Sequence, residues 1–174
     1  MSEENIPKIT IFSDGGAEPN PGKGGYGVIL VWNGHRKELF KGYKMTTNNR
    51  MELMGAIAGL EAINRRADIE VYTDSKYVVD GIEQGWARKW KSKNWHRTKK
   101  DKAINPDLWD RLLNVIDKHR EVKFNWVKGH NGHPENERCD QLATMGIQMP
   151  ELLIDEAYIQ PPPETTEENQ GQLF

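Results

Sequence analysis

The chain has 174 residues, which suits one domain with a substantial core and is short for two. Its 24 lysines and arginines nearly balance 26 aspartates and glutamates, a net charge of −2, so any bias toward a charged partner must lie in their distribution. A single cysteine, Cys139, excludes an internal disulfide; with neither a leader-like N-terminus nor a run of ~20 apolar residues for a membrane span, a soluble, cytoplasmic monomer is expected.

Residues 8–13 (KITIFS) are rich in β-branched and aromatic side chains and predict a first strand ending at Asp14-Gly15-Gly16. The stretch EPNPGKGG turns the chain into a second strand near 26–32, and Asn33-Gly34 marks a tight hairpin into a third near 35–43. From 48 to 64 the pattern becomes helical, with Leu53, Ile57 and Leu60 on one face. Ala56 and Gly59 are small enough to let this helix approach a sheet closely. Ile69, Val71 and Thr73 alternate as a fourth strand ending at Asp74, and Ser75 can cap a helix running through Tyr77, Val78 and Ile82. Residues 86–104 are basic and aromatic, with few aliphatic side chains. Helical spacing returns over 106–119 through Leu108, Leu112 and Val115, with Pro106 in the first turn. Val122, Phe124 and Trp126 alternate as a fifth strand; after the loop KGHNGH, Pro134 opens a last helix to about 147. From Gln160 the sequence is acidic and Pro-rich. The expected fold class is α/β over residues 1–150: a five-stranded mixed sheet flanked by helices, with a basic protrusion near 86–104. An acidic, flexible tail over 151–174 is expected to follow.

Asp14 and Asp74 each stand at the C-terminal end of a predicted strand, where ligands of open α/β sheets gather. An aspartate before Gly or Ser is usually a turn former or a cap. Two of them at equivalent ends of neighbouring strands, ~4.8 Å apart, come within reach of one metal. Glu52, placed in the first turn of its helix, reads alone as a dipole-favoured carboxylate, and Asp140 as a solvated helical one. Between 86 and 102, eight basic residues against Asp101 give a local net of +7, interleaved with Trp86, Trp90 and Trp95. Such a run is often only a solvated face, yet this density argues for phosphate contacts.

The segments FSDGGAEPNPGKGGYG, TTNNRMELMGAI, VYTDSKYV and WVKGHNGHPENERCDQLA resemble, in order and spacing, the motif blocks of type 1 ribonucleases H. The resemblance covers roughly 8–147 and implies the ribonuclease H-like fold and cleavage of the RNA strand of RNA–DNA hybrids, largely without regard to base sequence. It places the metal-binding carboxylates at Asp14, Glu52, Asp74 and Asp140. These would hold two Mg²⁺ ions, with Mn²⁺ as substitute, about 3.5–4 Å apart, and leave 5′-phosphate and 3′-hydroxyl ends. Without metal the crowded carboxylates should repel one another and some should titrate high. His130 matches a histidine that assists proton transfer or product release, while His133 is assigned only a structural role. A zinc site is disfavoured, since His130, His133 and Cys139 lack an established ligand spacing.

By the same resemblance Asn20, Asn48 and Asn49 face the minor groove of the hybrid, and Thr47 and Asn105 grip a DNA-strand phosphate. Read alone, those asparagines are equally turn residues. Lys89 and Lys91 of the basic protrusion are expected on the phosphate backbone, and Trp86 or Tyr77 against a deoxyribose, with Trp90 and Trp95 mainly structural. Lys76 departs from the family, which commonly has an amide there; it either strengthens backbone binding or pairs with a catalytic carboxylate. Gly16-Ala17-Glu18-Pro19 is more acidic and stiffer than the common loop. At the end of the sequence, Gln170, Leu173 and Phe174 fit a Gln-x-x-Leu-Phe pattern of peptides that dock on replication sliding clamps, although the motif is short and an inert terminus is the favoured reading. Two rival activities share the carboxylate logic: DNA-acting transposases or resolvases, and a hybrid-binding module without catalysis.

Overall fold

Asn33 and Gly34 both adopt left-handed φ, at 47° and 82°, and form the predicted two-residue turn between antiparallel strands. In this computed structural model, which describes residues 5–129 and 131–158, the sheet has the order β3-β2-β1-β4-β5. Its strands are β1 (Lys8–Ala17), β2 (Gly22–Trp32), β3 (His35–Thr46), β4 (Asp68–Thr73) and β5 (Glu121–Trp126). The first three pair antiparallel, while β4 joins β1 and β5 joins β4 in parallel. The helices are α1 (Asn48–Glu61), α2 (Lys76–Glu83), α3 (Trp86–Ser92), α4 (Pro106–Ile116) and α5 (Pro134–Ile147). The crossover through α1 is what carries the chain back to lay β4 parallel beside β1.

Strand alternation divides the interior in two. Ile11, Ser13 and Val28 point to the face covered by α1, and join Met51, Leu53, Ile57, Leu60, Val71, Trp109 and Leu112 in the main core. Phe12 and Ile29 point the other way, onto Cys139 and Leu142 of α5. Arg36 bonds Glu135, and Arg138 bonds Glu38 with both its Nε and Nη2, tying α5 to the β3 side of the sheet.

Several boundaries move from their sequence-based positions. β1 continues past Asp14 to Ala17 because Gly15, Gly16 and Ala17 find partners in Tyr26, Gly25 and Gly24 of β2, whose own start moves back to Gly22. Glu52 lies in the second turn of α1, since the helix begins at Asn48 behind the cap Thr47, whose hydroxyl accepts from Arg50 N. The basic run contains α3, which its composition did not announce. Two of its cations pair with acids outside the run, Arg88 with Asp117 and Lys91 with Asp110, so its excess charge is smaller than the run alone suggests.

The expected boundary at 150 falls short of the last contacts. Leu153 exchanges backbone bonds with the β3 edge: its N donates to Gly42 O and its O accepts from Lys44 N, both at 2.9 Å. Asp155 then reaches the buried guanidinium of Arg50, whose Nε and Nη2 donate to it at 2.7 and 2.9 Å. Arg50 Nη1 and Nη2 also bond Asp107, at 3.0 and 2.7 Å, and Thr46 Oγ1 donates to Asp155 at 2.7 Å. The Arg50 side chain is 3% exposed and that of Asp155 9%, so this pairing satisfies a charge that water cannot reach. Asp155→Ala should therefore lower the unfolding free energy by about 2–3 kcal/mol, less than full loss of a buried pair because Asp107 remains. Denaturant midpoints at unchanged slope would register it; an unaltered midpoint would show that the segment after 150 is dispensable.

Candidate active site

The β1–β4 ladder ends with Ser13 opposite Thr73, so Asp14 and Asp74 are the next residues on two parallel neighbours. Alternation sends Asp14 toward the α5 side, where Asp140 is near enough to help raise it. Glu52 arrives from α1 on the other face. It can do so because Gly15 has no side chain: a Cβ there would collide with the backbone carbonyl of Met51. The result is a set of carboxylate oxygens from Asp14, Glu52 and Asp74 that lie within 4.8 Å of one another. Asp140 joins through Asp14 from an exposed position on α5.

The environment of these groups opposes ionisation. Burial, reinforced by the charges of Asp74 and Asp140, pushes Asp14 up to about 8, although Gly15 N donates to its Oδ1 at 2.9 Å. Glu52 is held well above the usual carboxylate range by burial first and by Asp14 and Asp74 second. The sequence led to an expectation of mutual repulsion; the larger cause is loss of water. Glu52 Oε2 is moreover buried without a hydrogen-bond partner among the described residues. An unsatisfied buried oxygen among acids and an all-oxygen donor set fit a hard divalent cation. Cys139 is not a candidate ligand, because it is fully buried against Ile29 and Leu142 with its thiol pushed up by burial.

The remaining sequence-derived residues divide into those at the pocket's edge and those with other duties. Asn20 Oδ1 accepts from Asn48 N at 3.0 Å and Asn48 Oδ1 from Ala17 N at 2.6 Å, so both fix the loop and helix at this end of the sheet; Asn49 is exposed beside them. Asn105 adopts φ 61° and leaves α4 without a side-chain cap. Its amide instead accepts from Arg50 Nη1 and donates to the Tyr77 hydroxyl. Tyr77 Oη also accepts from Trp109 Nε1 at 3.0 Å, which anchors Tyr77 inward rather than leaving the whole ring for a sugar. Trp90 packs edge-on against Trp109, while Trp86 is exposed. Lys89 is exposed. Lys76 places its ammonium over the Trp126 ring, a contact that neither role suggested from the sequence included. His133 precedes α5 without a side-chain cap bond. His130 and the tail residues Gln170, Leu173 and Phe174 lie outside the described residues. Sequence reasoning missed Arg50, Asp155 and Trp126; Arg50 and Trp126 sat inside quoted motifs, and only their contacts reveal what they do.

An apolar cavity of about 270 Å³ among Pro7, Ile9, Leu30, Trp32 and Ile63 contains none of the carboxylates. The acids instead lie where the ladder between the interior strands β1 and β4 ends.

A mixed α/β sheet with acids from β1, α1, β4 and α5 gathered where its interior strands β1 and β4 adjoin is an arrangement suited to a metal-assisted hydrolase. The sequence pattern of the RNase H family matches residues 7–148. Ribonuclease H of Desulforamulus reducens is 56% identical over 151 residues, covering 87% of this chain and 94% of the relative. Ribonuclease HI of a Synechocystis species is 52% identical over 151 residues, covering 86% and 94%. The solved structure of LC9-RNase H1, described as a type 1 RNase H with the type 2 active-site motif, superposes with a TM-score of 0.72 at 30% identity, covering 82% of this chain and 72% of that one. The chain belongs to the RNase H family of hydrolytic endoribonucleases. No helix among the described residues is long and apolar enough to cross a membrane.

The raised carboxylates make the metal-free fold sensitive to pH. Asp14 keeps its proton in the folded state up to about 8 and releases it near 3.8 when unfolded, so the folded state binds more protons between those values. Stability should then fall as pH rises through that window. His119, lowered by burial, opposes this below its usual 6.5. The decisive quantity is therefore the difference between wild type and Asp14→Asn in chelator: the variant should lose less stability between pH 5 and 8, and identical slopes would contradict the raised Asp14.

Proposed function

We propose that the protein hydrolyses the RNA strand of RNA–DNA hybrids with two divalent ions, Mg²⁺ or substituting Mn²⁺, held by Asp14, Glu52, Asp74 and Asp140, leaving 5′-phosphate and 3′-hydroxyl ends. The observation that carries this reading is the convergence of three carboxylates within 4.8 Å in a chain of the RNase H family. Two ions are favoured over one by charge: four ionised carboxylates are balanced by two divalent cations. When bound, such ions supply a water acidic enough to attack at neutral pH and polarise the scissile phosphate.

The chain's own groups prepare that chemistry. Asp14, pushed up to about 8 by burial and by the charges of Asp74 and Asp140, keeps its proton near neutral pH in the metal-free state, which eases repulsion in the cluster. Metal entry requires that proton to leave, so binding tightens as pH rises. Glu52 holds a buried oxygen toward the centre, already stripped of water and hydrogen bonds. Asn20, Asn48 and Asn49 stand at the same end of the sheet and offer amides to the minor groove, where the 2′-hydroxyl separates RNA from DNA. Thr47 and Asn105 flank the buried Arg50 and suit a DNA-strand phosphate. Trp86 and Lys89 present an exposed ring and charge from α3.

Labelled hybrid, double-stranded RNA and double-stranded DNA incubated with Mg²⁺ test the reading. RNA-strand cleavage in the hybrid alone is expected, and Asp14→Asn or Glu52→Gln should reduce it roughly a thousandfold or more. Cleavage of double-stranded DNA would favour the transposase or resolvase alternative, and binding without cleavage a non-catalytic module. A separate measurement addresses α3. Lys89→Ala should flatten the dependence of log affinity on log salt by about 0.9. Lys91→Ala should change it less, because that ammonium is already 2.8 Å from Asp110.

A further inference from the structure

Trp126 ends β5 with 45% of its surface exposed, yet its indole is engaged. The Nε1–H donates to the carbonyl oxygen of Asp74 at 3.0 Å. Lys76, the first residue of α2, places its ammonium 4.6 Å from the centre of the same ring. One residue on, Val127 N donates to Thr73 O at 2.9 Å and prolongs the β4–β5 ladder beyond its last pair, Thr73 with Trp126. Gly129 then lies against the Asp74 side chain, where an added Cβ would stand 2.6 Å from Oδ2.

These contacts fall where the backbone has least support of its own. β4 ends at Thr73 and α2 starts at Lys76, so the Asp74–Ser75 link belongs to neither ladder. The N–H of that peptide, on Ser75, donates to Thr73 Oγ1 at 3.1 Å, so the indole bond to its carbonyl is a second hold on the same unit, and a rotation of that peptide swings the carboxylate. An indole N–H is a single, directed donor on a rigid ring, and a cation over the ring face resists tilting of that ring.

We propose that Trp126 is a positioning residue for Asp74, with Lys76 clamping the indole and Gly129, lacking a side chain, leaving room for the carboxylate. Trp126 touches neither metal nor reacting atoms in this role; it acts by fixing the direction in which Asp74 presents its oxygens. The inference rests on the reading of Asp74 as a metal ligand.

The test compares full-length wild type, Trp126→Phe and Lys76→Met. Trp126→Phe keeps an aromatic face for the lysine and removes only the N–H donor. In calorimetric titration of Mn²⁺ into metal-free protein without nucleic acid, its affinity should fall roughly threefold to tenfold, the worth of one directed hydrogen bond. At saturating Mn²⁺ its kcat on hybrid should fall by a similar factor, while KM for the hybrid stays within about twofold. Lys76→Met should show a smaller loss of metal affinity, about twofold, with the donor intact; as an exposed side chain it also serves if Trp126→Phe fails to fold. Wild-type Mn²⁺ affinity in both variants would overturn the inference, as would a loss confined to melting temperature or hybrid KM. A wild-type protein that neither binds Mn²⁺ nor cleaves hybrid would remove the functional reading itself. Active wild type with an indistinguishable Trp126→Phe would remove the positioning role alone.

Discussion

Burying like charges at one strand edge is the constraint on which the rest of this structure depends. Water is excluded from Glu52 Oε2 and largely from Asp14, and the neighbouring acids add repulsion to that loss. Repulsion among the acids opposes their own gathering. The geometry is imposed from outside, by the parallel register that aligns Asp14 with Asp74 and by the glycine that lets α1 bring Glu52 against β1. The apolar core on the α1 face, from Ile11 to Trp109, supplies the cohesion that this arrangement costs.

Arg50 shows the opposite solution a short distance along the same helix. Its guanidinium is buried, but Asp107 and Asp155 neutralise it with paired, well-directed bonds, and Asn105 takes a further donor. The chain thus spends its most deeply buried cation on closing α1, α4 and the segment after α5 together. Two acids are consumed there, in a pairing separate from the acid cluster of Asp14, Glu52 and Asp74.

What the sequence made legible follows from periodicity. Val122, Phe124 and Trp126 alternate and mark β5; Pro134 and the later apolar residues mark α5 from start to finish. β1 was read too short because glycines carry no alternation, although Gly15 and Gly16 pair with β2 as fully as Ile11 does. α3 escaped because its seven residues include three cations and two tryptophans, with Ala87 as its buried residue. At the site, Asp14 and Asp74 were accessible from strand ends, whereas Glu52 and Asp140 needed the family's motif blocks. Lys76 was read as a phosphate-backbone or carboxylate partner because a positive charge stands there in place of the family's common amide. Its actual partner, Trp126, is fifty residues away by chain and adjacent only after β4 and β5 pair.

The short stretch around Leu153 bears on how copies of this molecule behave toward one another. β3 borders the sheet, and a bordering strand presents unpaired amides and carbonyls to any extended chain that drifts past. Leu153 occupies that border at Gly42 and Lys44, beside the half-exposed apolar Met45. Without residues 151–155 in place, those groups of β3 would stand open to pairing with a second copy of the chain.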